Sequence, residues 1–80
     1  MSPAELATAC MDAIEQAMKR GEPSSKAQVM LTMPRGWRAP PGFPRGELAC
    51  ITSAGESVRY LPALRVAHWL VVLSEEASAP

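Results

Sequence analysis

The stretch Glu47-Leu48-Ala49-Cys50-Ile51-Thr52-Ser53-Ala54-Gly55-Glu56-Ser57-Val58-Arg59-Tyr60-Leu61 decides the fold. From Glu47 to Thr52, Leu48 and Cys50 fall on one face and Ala49 and Ile51 on the other. From Ser57 to Leu61 the alternation passes through Val58 and Tyr60, and Ser53-Ala54-Gly55-Glu56 between the two runs offers a turn. This pattern predicts a β-hairpin over residues 47–61. Ala-Gly is a weaker turn signal than Asn-Gly, so the pattern leaves room for a one-residue slip of register.

On the N-terminal side of the hairpin lies Pro34-Arg35-Gly36-Trp37-Arg38-Ala39-Pro40-Pro41-Gly42-Phe43-Pro44-Arg45-Gly46. It holds four of the chain's eight prolines, two of its four aromatics and three arginines. Each proline fixes its own φ, removes a backbone donor and pushes the preceding residue towards extended geometry, which predicts a stiff loop over residues 34–46. Before it, Val29, Leu31 and Met33 alternate with Gln28, Met30 and Thr32, as a strand with one face on the core requires, and Pro34 ends that strand. Glu22 to Lys26 is a polar connection.

The N-terminal segment 1–21 reads as a helix from Pro3 to Arg20. Ser2 is the N-cap, Pro3 takes the first helical position and Glu5 completes a capping box. Leu6, Cys10, Ala13, Ile14, Ala17 and Met18 recur at helical spacing and are expected inward. Lys19 and Arg20 suit the negative end of the helix, and Gly21 suits a left-handed cap.

On the C-terminal side, Pro62 opens a helix expected over residues 62–76, with an apolar stripe of Ala63, Val66, Ala67, Leu70 and Leu73. Leu64, Trp69, Val71 and Val72 exceed what one face buries. Either the helix packs on both the sheet and the first helix, or a homodimer covers it through Leu64, Trp69 and Val72. The run from Trp69 to Leu73 also carries β propensity, and residues 77–80 are expected to fray. Residues 1–80 thus read as one α+β domain, α-β-β-β-α, with a small, mainly antiparallel three-stranded sheet packed against helices. A core of this size is marginal alone, which favours oligomerisation.

Composition bounds function. Hydrophobic residues make up 48% and charged residues 20% of the chain, a globular balance, and the formal net charge is zero, so any electrostatic partner must be met by a local patch. Cys10 and Cys50 match no metal or redox spacing and read as buried free thiols. His68 is the only histidine, without an acid or second ligand at a useful helical offset, so it reads as a helix-surface or interface residue. One histidine supports no triad for Ser24, Ser25 or Ser53, and the glycines do not fall at phosphate-loop or dinucleotide spacings. No catalytic residue, metal or cofactor is assigned, and a non-enzymatic protein is expected. The chain shows no signal-peptide pattern and no apolar run of membrane-spanning length, from which a soluble intracellular protein without a membrane partner is expected.

The proline loop stands apart. Between Glu22 and Glu47 there is no acid, while Lys26, Arg35, Arg38 and Arg45 are basic, so this segment carries four positive charges balanced elsewhere. Arg35, Trp37, Arg38, Phe43 and Arg45 are the candidate binding residues. Trp and Arg anchor protein interfaces, and a proline-stiffened loop loses little entropy on docking. The same groups stack on bases and hold phosphates, which keeps nucleic acid or a nucleotide as the alternative ligand. A third reading folds Trp37 and Phe43 back as a lid on the core.

Gly42-Phe43-Pro44-Arg45-Gly46-Glu47-Leu48, a hairpin, Tyr60-Leu61-Pro62 and a helix with Val66 and Trp69-Leu70 together resemble small early-region accessory proteins of temperate Mu-like phages and prophages of pseudomonads. The likeness spans roughly residues 31–70 and omits the N-terminal helix. It implies a viral accessory protein in the host cell cytoplasm that binds and inhibits a host protein of defence, regulatory or surface machinery, by occlusion.

Overall fold

A computed structural model describes residues 2–78. Helix α1 (Pro3–Lys19), a single 3-10 turn (Ser24–Lys26), strands β1 (Gln28–Met33), β2 (Glu47–Ile51) and β3 (Ser57–Pro62) and helix α2 (Ala63–Ser78) follow one another as α-β-β-β-α. The three strands form one sheet in the order β1-β3-β2, with both neighbouring pairs antiparallel.

Helix α1 begins as its first residues dictate: the Ser2 hydroxyl accepts the Glu5 N–H at 3.2 Å. It ends on Gly21 at φ 74°, with Glu22 N–H donating to Ala17 O at 2.9 Å and Gly21 N–H to Met18 O at 3.0 Å. These two bonds make a Schellman cap. Its inward stripe is centred on Cys10 and Ala17, both fully buried, with Leu6, Ala13 and Ile14 half-buried beside them. Met18, expected inward, is 64% exposed, because it lies about 100° around the helix from Ala17 and beyond the edge of the contact.

Val29, Leu31 and Met33 of β1 are buried as their alternation requires, and they pair with Leu61, Arg59 and Ser57 of β3. Leu61 is buried and is followed directly by Ala63 and Val66, which close the core against α1. Cys10 and Ala17 of α1 and Ala63 and Val66 of α2 belong to one buried cluster, with Ala67 packed against it. The α-helical reading of residues 69–73 holds, and the β propensity there is overridden by this packing. Pro62 is the last residue of β3, opposite Gln28, rather than the opening of α2, and Ala63 N–H is satisfied by Ala27 O at 2.9 Å. Ala77 and Ser78, expected to fray, belong to α2; Ala79 and Pro80 lie outside the described residues.

The hairpin turn runs from Thr52 to Glu56. Thr52 N–H donates to Glu56 O at 2.8 Å, and Gly55 at φ 80° donates to Thr52 O at 2.9 Å. The register departs from simple alternation at one point. Leu48 pairs with Arg59 and Cys50 with Val58, so Ala49 is an extra residue, a β-bulge, and Leu48 and Cys50 lie on opposite faces rather than the same one. Cys10 is buried as expected, whereas Cys50 is exposed, because β2 is an edge strand exposed along its whole length.

Helices cover only one face of the sheet, and the described residues form a slab 18 Å thick. Arg59 and Ser57 share the helix side with Leu61, while Val58 and Tyr60 face outward with Met30. Since β1 and β2 are each antiparallel to β3, they run parallel to each other on either side of it. Parallel strands need a crossover of about a dozen residues, usually a helix. Here the proline loop, residues 34–46, makes that crossover.

Candidate recognition site

The loop is built from two similar turns. Trp37 N–H donates to Pro34 O at 3.0 Å around Gly36 at φ 77°, and Phe43 N–H donates to Pro40 O at 3.1 Å around Gly42 at φ 79°. In Pro34-Arg35-Gly36-Trp37 and Pro40-Pro41-Gly42-Phe43 the third residue needs positive φ, which glycine supplies without strain. Each turn delivers an aromatic at its fourth position.

Those aromatics meet. Trp37 and Phe43 are edge-to-face with centroids 5.3 Å apart, and Phe43 stands edge-to-face on Trp69 of α2 at 5.1 Å. Such pairs contribute about 0.5–1.5 kcal/mol each beyond their buried area. Trp69 Nε1–H donates to Pro41 O at 3.2 Å, tying the second turn to α2. Phe43 is half-buried against the core, whereas Trp37 remains 41% exposed. The lid reading therefore holds for Phe43 and only in part for Trp37.

Where the loop passes over β3 it encloses an open trough of about 310 Å³. Met33, Leu61 and Phe43 make an apolar floor, Trp37 one wall, and Arg45, Arg59 and Ser57 supply the polar groups. Gly46 brings the chain down onto β3 so closely that a Cβ there would press into the Tyr60 carbonyl oxygen and lie 2.7 Å from Leu61 Cγ. In that position Gly46 O accepts a hydrogen bond from Arg59 Nη1 at 3.2 Å.

The five candidate binding residues are thus divided. Trp37, Phe43 and Arg45 converge on the trough. Arg35 is displaced to the hairpin turn, where its side chain packs beside Gly55, and Arg38 is exposed on the loop away from the trough lining. Arg59 and Ser57 were not among the candidates, and Trp69 was one only for a dimer contact. Alternation read outward from a buried Leu61 would have placed Arg59 and Ser57 on the inner face; nothing local marks Trp69 as the support of a loop some 26 residues earlier in the chain. Among the described residues the ion pairs are Lys19–Glu15 at 3.2 Å and Arg20–Glu22 at 3.4 Å, so neither Arg45 nor Arg59 meets a carboxylate of those residues.

Of the residues considered for a dimer, Trp69 is engaged by the loop and Val72 is half-buried, while Leu64 is 42% exposed. Val71 and Leu73 add 54% and 41% exposed apolar positions on α2. His68 is exposed on the same helix. Burial raises the Cys10 thiol above its ordinary pKa. No group of three or more His, Cys, Asp or Glu that could hold a metal ion occurs among the described residues, nor is any helix there long and apolar enough to cross a membrane.

Fold and site together define an α+β domain whose parallel crossover is a rigid, basic, aromatic loop. Comparison with family models, with curated proteins and with solved structures finds no match for this chain.

Proposed function

We propose that the protein is a non-enzymatic binding module that grips a partner protein through the face formed by the proline loop and β3. The observation that carries this reading is Trp37: a large aromatic left 41% exposed, yet held in place by Phe43 and, through it, by Trp69. An exposed Trp on a pre-ordered support, with arginines beside it, is what binding hot spots are made of, and the ordering entropy has already been spent in folding. The setting we attach to it is that of the resemblance, a temperate-phage accessory protein in the host cytoplasm that inhibits a host protein by covering it. We further propose that Leu64 and its exposed neighbours on α2 mediate a homodimer, which sedimentation across a concentration series tests.

Host-lysate capture by the parent, by Trp37→Ser and by the Arg35→Ser/Arg38→Ser/Arg45→Ser variant tests the main reading. Loss of the captured protein is the expected result, with the arginine variant melting close to the parent and Trp37→Ser still folded but destabilised by at least the worth of its pair with Phe43, about 0.5–1.5 kcal/mol. Retention of the same protein by both variants would refute it. Tight binding to single- or double-stranded DNA that weakens steeply with salt would instead assign the face to phosphate contacts.

A further inference from the structure

We infer that the trough between the proline loop and β3 is a carboxylate-anchoring subsite, which takes a carboxylate of the partner protein together with the apolar side chain next to it. This rests on the binding reading above and names the chemistry of the partner.

Arg59 carries much of the case. Its position on β3 lies between Ser57 and Leu61 on the helix side of the sheet, opposite the buried Leu31, where the pattern of the neighbouring strand calls for an apolar residue. Arg59 is half-buried, and no buried side-chain nitrogen or oxygen among the described residues lacks a partner, so its remaining N–H groups reach solvent at the trough, where an arriving ligand can take them. Arg59 has five N–H donors, and its recorded side-chain hydrogen bond is a single one, to the neutral carbonyl of Gly46. Arg45 lines the same trough and likewise has no carboxylate among the described residues, and the Ser57 hydroxyl adds a third polar group. A carboxylate accepts from guanidinium groups on both its oxygens, so one such group can pair with both arginines at once.

The rest of the trough selects what is attached to that carboxylate. Met33 and Leu61 at the base of the trough are already buried, so the apolar surface a ligand meets is that of half-buried Phe43 and of the exposed wall of Trp37, which offers a face to an aliphatic or aromatic side chain. A volume of about 310 Å³ is at the bottom of the range for small-molecule pockets, room for one or two side chains rather than a nucleotide cofactor. Two arginines also make a poor track for a nucleic-acid backbone, which needs a row of phosphate contacts. An acidic side chain beside an apolar one, or a chain-terminal carboxylate on an apolar residue, fits both halves.

The test is an NMR titration of the intact protein, following the indole N–H of Trp37 and the Nε–H groups of Arg45 and Arg59. The probes are the blocked peptide Ac-Ala-Asp-Leu-Ala-NH2, its isostere with Asn for Asp, Ac-Ala-Ala-Leu with a free C-terminal carboxylate, and an oligothymidylate. Saturable shifts at all three groups with a carboxylate peptide, and binding at least about ten-fold weaker for the isostere, are expected from the loss of a charge-assisted contact. Which carboxylate peptide binds tells whether the acid is a side chain or a chain end. Arg45→Gln should weaken the same peptide about ten-fold while leaving the Trp37–Phe43 ring-current shifts in place, since Arg45 is exposed and makes no recorded side-chain hydrogen bond in the fold. Equal binding of the isostere, no saturable shift with either carboxylate peptide, or tighter binding of the oligothymidylate would overturn the subsite. Capture lost in Trp37→Ser but undiminished in Arg45→Gln would overturn it while sparing the broader binding reading. Capture undiminished in both would remove both.

Discussion

Gly46→Ala is the substitution on which the geometry of the loop can be tried most severely. Gly46 has no positive φ to explain it, so the need for glycine is one of space alone. The added methyl would press into the backbone oxygen of Tyr60 on the central strand and stand 2.7 Å from Leu61 Cγ. Leu61 is 1% exposed and has nowhere to retreat. Overpacking of this kind costs about 1–3 kcal/mol. Moving the chain off β3 to relieve it also breaks the Arg59 to Gly46 hydrogen bond, a further loss of about 1 kcal/mol for a partly exposed charged donor. Lower entropy of the unfolded chain returns about 0.4–1 kcal/mol. The net expectation is a loss of about 1–3.5 kcal/mol, which for a domain of this size lowers Tm by about 4–28 °C. Urea and thermal melts measure it, with Gly21→Ala as the control. That site has φ 74° but nothing within 4 Å of the new methyl, so only the left-handed strain of about 1–2 kcal/mol applies. Arg59→Gln should destabilise the parent and add little on top of Gly46→Ala, because the alanine variant has already lost the shared bond. A Gly46→Ala protein within about 0.5 kcal/mol of the parent would show that the loop does not lie against β3 as described.

Trp69→Phe should cost only about 0.5–1.5 kcal/mol, the worth of the bond to Pro41 O, whereas Trp69→Ala should approach 3 kcal/mol and also move the Trp37 resonances, since Phe43 loses its support. Unmoved Trp37 signals would contradict the aromatic chain. Cys50 should react with a thiol reagent in the native protein at the rate of an exposed thiol, and Cys10 only as fast as the fold opens; two fast thiols would contradict the placement of Cys10. Burial raises the Cys10 pKa, so the folded state holds that proton more tightly than the unfolded chain. Its contribution to stability is full below the ordinary thiol pKa and is lost as pH rises from there through the raised value, so the stability difference between parent and Cys10→Ala should shrink over that alkaline range in denaturant melts.

Local signals located both helices and all three strands of this protein, though not the 3-10 turn at Ser24–Lys26. Ser2, Pro3 and Gly21 bound the first helix because capping involves only nearest neighbours along the chain, and the alternation of Val29, Leu31 and Met33 named the buried face of β1 because one strand has one inward period. The basic character of the loop and its two aromatics were equally plain, and both belong to the candidate site. What pairing alone decided is which residues share a face. A single extra residue at Ala49 separates Leu48 from Cys50, and no feature within the run 47–51 announces it. The strand order β1-β3-β2 is likewise a matter of which edges meet, and it turned the proline loop from a presumed excursion into the crossover between parallel strands. Arg59 became a trough residue, Arg35 left the site, and Trp69 became the support of Phe43, because each of those contacts joins residues 13 or more apart in the chain, where propensity and spacing carry no information and only close packing on the sheet does.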